Sequence, residues 1–112
     1  MKGLNKIMLI GNLGKDPEML TLEGNIKVAK FSMATSETYR DEQGQTHTVT
    51  EWHSIVLWRG LAEFAEKYLH KGSSVYLEGK SKTRNFDDKQ GIKRYVTEII
   101  GEHILLLGKK EP

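Results

Sequence analysis

One stretch of this sequence repeats with the period of a helix, and its surroundings repeat with the period of a strand. Leu61, Phe64, Ala65, Tyr68 and Leu69 fall at i, i+3, i+4, i+7 and i+8, the spacing that lines one face of an α-helix. Gly60 opens this stretch and Gly72 stands where a left-handed C-terminal cap belongs, so a helix of about three turns is expected. Residues 4–12, 26–36, 48–59, 73–86 and 92–107 instead alternate or run apolar as strands do. Between them lie turn-forming sequences: Gly14-Lys15-Asp16-Pro17, Glu23-Gly24-Asn25, Asp41-Glu42-Gln43-Gly44 and Asp87-Asp88-Lys89-Gln90-Gly91.

The order of three strands, a helix and two strands is that of an OB fold, an all-β, five-stranded Greek-key barrel with its helix between the third and fourth strands. Strands of about ten residues suit a barrel with long hairpin arms better than a sandwich, whose turns recur every 8–12 residues. A different small β-barrel fits the same pattern. A chain of 112 residues with 38% hydrophobic content fills one core, and no Ser/Gly/Pro-rich stretch divides it, so residues 1–112 are expected to form a single domain.

The chain has no cysteine, which excludes disulfides and thiolate zinc sites and fits a reducing compartment, with the cytoplasm as the default. Ile7-Met8-Leu9-Ile10 is cut off by Gly11-Asn12, too short for a signal-peptide core or a membrane span. Seventeen basic against 15 acidic side chains leave a net charge of +2, so the distribution of charge matters more than its sum. Lys80, Lys82, Arg84, Lys89, Lys93 and Arg94 face only Asp87 and Asp88 within their segment.

In the third strand, the period of two puts Trp52, Ser54, Val56 and Trp58 on one side and Val49, Glu51, His53, Ile55 and Leu57 on the other. Either side is apolar enough to be core. The fourth strand decides, because Tyr76, Glu78, Lys80, Lys82, Arg84 and Phe86 share a parity that no core accepts. Rings interleaved with Lys and Arg suit single-stranded nucleic acid, where every base offers a π face and every nucleotide a phosphate. Tyr39 beside Arg40 repeats the pairing in the turn-rich segment between the second and third strands. Stacking and phosphate contact do not by themselves distinguish DNA from RNA.

Asn5-Lys6, Ile10-Gly11-Asn12-Leu13-Gly14 and Asp16-Pro17-Glu18 are followed in order by Phe31-Ser32-Met33-Ala34-Thr35-Ser36-Glu37 and Thr50-Glu51-Trp52-His53. Leu61-Ala62-Glu63, Tyr68-Leu69, Lys71-Gly72-Ser73, Val75-Tyr76-Leu77-Glu78-Gly79, Thr83-Arg84 and Arg94-Tyr95 come after them. Together these runs resemble the bacterial single-stranded-DNA-binding proteins over roughly the first hundred residues.

The resemblance implies base stacking on Tyr39, Trp52, Trp58 and Phe86. The family often has tryptophan at the first and last of these positions and phenylalanine at the third. It implies phosphate contacts from Lys2, Lys6, Arg40, Lys71, Lys82, Arg84 and Arg94, to which the basic run adds Lys80. Ser54 and Asn85 depart from positions where basic residues are common, and Arg59 adds a cation where a small residue is more familiar. The resemblance further implies a homotetramer, with Leu4, Lys6, Met8, His53 and Tyr76 at subunit contacts. No cofactor or metal is implied. Many relatives end in an acidic tip that recruits replication and repair proteins. The sequence stops at Gly108-Lys109-Lys110-Glu111-Pro112, so such partners are expected only if a tail exists outside it.

An enzyme on a similar barrel needs clustered carboxylates or metal ligands. Glu63 and Glu66 lie on the helix's polar side, Asp87-Asp88 suit a hairpin tip, and His47, His53, His70 and His103 lack metal-ligand spacing. A closer rival is an OB module that binds single strands as a dimer and serves mainly to connect other proteins.

Overall fold

The computed structural model describes residues 2–108. Its elements are β1 (Ile7–Leu13), β2 (Glu18–Leu22), β3 (Ile26–Arg40), β4 (Thr46–Trp58), α1 (Gly60–Tyr68), β5 (Ser74–Asp87) and β6 (Lys93–Leu107). The strands pair in the order β1-β5-β6-β4-β3-β2, and a further β1–β3 pairing at Asn12↔Ala34 and Leu13↔Met33 closes five of them into a barrel. β4 and β6 run parallel through Ile55↔Ile99 and Val56↔Ile100, while the other pairs are antiparallel. This is the all-β barrel expected from the sequence, with its helix between the third and fourth barrel strands, here β4 and β5.

Two local details differ from the sequence reading. β2 is a short strand paired with β3 alone. Its five residues carry little core alternation, since Leu20 and Leu22 both stay exposed, so the strand period is faint and the segment reads as loop. The helix also ends sooner, at Tyr68, because Leu69 turns extended as the C-cap and drops its side chain into the core. Gly72, with φ +90°, is therefore not the helix cap. It belongs to the following turn, where Ser73 N–H bonds to His70 carbonyl and Gly72 N–H to Leu13 carbonyl.

Inside the barrel, Met33, Ile55, Leu57, Val75 and Leu77 are fully buried, and α1 contributes Ala62 and Ala65 to the same cluster. Each of the larger aliphatic side chains contributes about 1.5–3 kcal/mol through burial. The small residues on α1 let the helix lie close against the barrel. Beyond the core, β3–β4 and β5–β6 run on as two-stranded arms. Their outer pairs Tyr39↔His47 and Phe86↔Arg94 belong to residues exposed to solvent.

Candidate nucleic-acid interface

The outer face is assembled by strand register. Trp52, Ser54, Val56 and Trp58 of β4 lie opposite Ala34, Ser32, Lys30 and Val28 of β3. Lys80, Lys82, Arg84 and Phe86 of β5 lie opposite Ile100, Glu98, Val96 and Arg94 of β6. Directly paired residues point to the same side of a sheet, and Val56↔Ile100 joins the two sets. The result is a groove of about 370 Å³ whose walls include Leu20, Val56, Trp58, Lys80 and Lys82. Sequence parity identified Trp58, Lys80 and Lys82. Leu20, Leu22, Val28, Lys30 and Ile100 were missed as groove residues because cross-strand register joins them. For β2, the only available signal was the short alternation of Glu-Met-Leu-Thr-Leu.

All four candidate stacking rings are open to solvent: Trp52 is 59% exposed, Tyr39 53%, Phe86 45% and Trp58 42%. The reading of the tryptophans as core is thus excluded, since an aromatic ring left half in water withholds the burial it could contribute. Trp52 lies against Gly14. A β-carbon there would stand 2.5 Å from Cζ3 of the indole and 3.2 Å from Ser32 Oγ, so the missing side chain makes room for the ring. Trp58, Trp52 and Phe86 share the parity of the groove face. Tyr39 has the opposite parity to Trp52 on the β3–β4 ribbon and stacks on His47, with centroids 5.2 Å apart and planes at 22°.

The candidate cations divide by what already neutralises them. Lys80 and Lys82 are exposed and have no ion pair among the described residues. Arg84 Nε donates to Glu98 at 3.0 Å, and its guanidinium carbon stands 5.9 Å from the Phe86 centroid, a cation–π arrangement. Arg94 Nε donates to Asp88 at 2.9 Å. Lys2, Arg40, Arg59 and Lys71 are exposed outside the groove. Arg59 follows Trp58 and faces a separate hollow beside Asn25 and Glu63.

Lys6 belongs to a second outer face, where its ammonium pairs with Glu78 at 2.9 Å. Tyr76 donates its hydroxyl hydrogen to the other Glu78 oxygen. These contacts hold the Glu78 carboxyl below the usual carboxylate range, the tyrosine hydrogen bond first and Lys6 next. The hydrogen bond to Glu78 raises both partners, Lys6 and Tyr76. The register sets Met8 beside Glu78, and Ile10 and Leu105 beside Tyr76, leaving an exposed aliphatic strip. Of the expected subunit-contact residues, Lys6, Met8 and Tyr76 gather here. Leu4, 90% exposed, precedes β1. His53 stands apart on β4, where its Nε2 is 2.9 Å from Thr35 Oγ1.

Among the described residues, no group of three His, Cys, Asp or Glu side chains is placed to hold a metal ion. Nor, among the described residues, is any helix long and apolar enough to cross a membrane.

Residues 4–107 match the family model described as the single-strand binding protein family. The chain is 47% identical to "Single-stranded DNA-binding protein 1" of Chlorobaculum tepidum, over 98% of this chain and 68% of that protein. It is 44% identical to the protein of the same name in Xylella fastidiosa, over 99% and 82% respectively. The fold superposes on Plasmodium falciparum SSB, solved in complex with ssDNA, with a TM-score of 0.89 and 38% identity over 96% of this chain and 98% of that one. A deletion mutant of the Thermus aquaticus single-stranded DNA binding protein is 30% identical with a TM-score of 0.81, over 95% of this chain and 51% of that longer one. With the family model covering nearly every described residue and the barrel superposing end to end, the chain belongs to the single-strand binding protein family.

Proposed function

We propose that this chain binds and protects single-stranded DNA without sequence preference and without catalysing a reaction. The observation that carries the reading is one outer face on which exposed indoles flank lysines that make no ion pair among the described residues. Bases stack on Trp52, Trp58, Phe86 and Tyr39, each contact worth about 1–3 kcal/mol in proteins of this class. Lys80 and Lys82 hold phosphates in the groove, Arg84 and Arg94 do so along the β5–β6 arm, and Lys2, Arg40, Arg59 and Lys71 extend the cationic surface. These contacts position the strand and do not read its bases. Lys6, already paired with Glu78, contributes less to phosphate binding than to the second face.

The cellular setting that fits is replication, recombination and repair, where single strands are exposed. We assign the aliphatic strip of Met8, Ile10 and Leu105 to contacts between copies in a homotetramer, because an exposed apolar strip favours association and the neighbouring charges of Lys6 and Glu78 neutralise each other.

Tryptophan fluorescence titrated with dT oligomers of increasing length, at low and high salt and with a matched duplex as control, tests the binding reading. Quenching by single strands alone, weaker at high salt, is expected. Absence of quenching by any nucleic acid would overturn it.

A further inference from the structure

The two arm tips are built on one plan. In the β3–β4 arm, Asp41 Oδ1 accepts hydrogen bonds from the N–H groups of Gln43 and Gln45, each at 2.9 Å. In the β5–β6 arm, Asp88 Oδ1 accepts from Gln90 and Ile92, also at 2.9 Å. Asp41 N–H bonds to Gln45 carbonyl and Gly44 N–H to Asp41 carbonyl, while Asp88 with Ile92 and Gly91 with Asp88 repeat both bonds. Gly44 and Gly91 take φ values of +80° and +79°, as this type of hairpin turn requires. The sequence shows the repeat as Tyr39-x-Asp41-x-Gln43-Gly44-x-x-His47 against Phe86-x-Asp88-x-Gln90-Gly91-x-x-Arg94.

Each tip also holds a nitrogen base six residues after its aspartate. Arg94 Nε donates to Asp88 Oδ2 at 2.9 Å, and His47 Nε2 donates to Asp41 Oδ2 at 2.8 Å. In both arms this residue lies directly opposite the aromatic one, His47 across from Tyr39 and Arg94 across from Phe86. The difference is chemical. Arginine stays protonated at all working pH values, whereas histidine changes charge between about pH 5 and 8.

We propose that His47 is a positioning residue for single-strand binding, backing the Tyr39 ring and neutralising Asp41 only when protonated, so that the β3–β4 arm grips DNA more tightly at acidic pH. The proposal rests on the single-strand-binding reading above. Because His47 stacks on Tyr39, a base is left the other side of the phenol ring. With neutral imidazole, the Asp41 carboxylate stands beside that ring and repels phosphate. With imidazolium, the pair is neutral, as Asp88–Arg94 always is. The charged groups on the side of the ribbon that His47 occupies are Asp41 at the turn and Glu37, diagonally across the ladder on β3, whereas Arg40 pairs with Thr46 and faces the other side. The β4 positions flanking it, Thr46 and Thr48, carry no charge. Asp41 itself is held below the usual carboxylate range, first by His47 and then by the Gln45 N–H.

The test measures affinity for a dT oligomer and its salt dependence at about pH 5.5 and about pH 8.5, in the wild-type chain, His47→Arg and His47→Gln. The wild type should bind more tightly at the lower pH, its log–log salt slope steeper by about 0.7, the increment for one net charge on a single strand. His47→Arg should hold the tight, steep behaviour at both pH values, and His47→Gln the weak, shallow behaviour. His53, His70 and His103 remain in all three proteins. A pH response that survives in His47→Gln therefore assigns the effect to those residues and overturns the proposal, as does a His47→Arg chain that behaves like His47→Gln. Failure of all three proteins to bind at either pH would instead strike the function proposed above. A thermal melt of each variant confirms that the comparison is made on folded protein.

Discussion

The groove face and the β1 face share a strand, since Tyr76 and Glu78 have the same parity on β5 as Lys80, Lys82 and Arg84. What separates them is a break in register between Glu78 and Gly79, where β6 carries one residue more than β5. Such a bulge bends the strand that carries the extra residue and strengthens the local twist of the pair, so one run of outward-facing side chains on β5 serves two surfaces. Before the break, Lys6, Tyr76 and Glu78 satisfy one another and the neighbours are aliphatic. Past it come cations in the company of rings. Exposed apolar area alone does not distinguish these faces. The state of the charges does, because lysines such as Lys80 and Lys82, which make no ion pair among the described residues, attract phosphate whereas an internally neutralised cluster beside Met8 and Ile10 suits another protein surface.

The sharpest way to break this comparison is to remove rings from one face and aliphatic side chains from the other. Trp52→Ala with Trp58→Ala should cost about 1–3 kcal/mol of single-strand affinity per ring, whatever the base composition. Met8→Ala with Ile10→Ala should leave affinity for a short oligomer unchanged while lowering the oligomeric mass. Anisotropy with short labelled oligomers, paired with sedimentation, reads both. Equal loss of DNA affinity from the two double variants would erase the distinction.

A smaller effect is expected from charge. Lys80→Gln with Lys82→Gln should weaken binding uniformly across sequences and reduce the log–log salt slope by about 1.4, roughly 0.7 per cation, whereas Lys6→Gln should barely move that slope. A salt titration of the affinity checks this, and an unchanged slope in the double lysine variant would remove those residues from the phosphate track. Smaller still, Gly14→Ala should displace the Trp52 ring, which the added carbon would contact. We expect an affinity loss of no more than about 1 kcal/mol with little change in melting, since the far end of a side chain yields more readily than backbone. A melting loss without any change in affinity would make Gly14 a fold residue and not a support for the ring.

Much of the fold was legible because its signals are local. Period-two alternation marked the five barrel strands, and Leu61, Phe64 and Ala65 marked the helix between them. The parity of Lys80, Lys82, Arg84 and Phe86 was likewise readable, since a strand cannot bury three cations without partners. Less legible were the ends of elements. Leu69 satisfies the helical spacing and yet is the extended C-cap, because its place in the core can be reached from either conformation.

By itself, then, the sequence determined the all-β class, the succession of barrel strands and helix along the chain, and the presence of rings and cations on a common strand face, all properties of residues a few positions apart. Only the tertiary structure decided that Leu20 and Lys30 meet Trp58 and Lys82 in one groove, that Lys6 is claimed by Glu78, and that Asp41 holds His47 as Asp88 holds Arg94. The physical reason is register. A one-residue slip between strands sends every side chain to the other face, and that register is set by barrel closure and turn geometry, which bring together residues far apart in the chain.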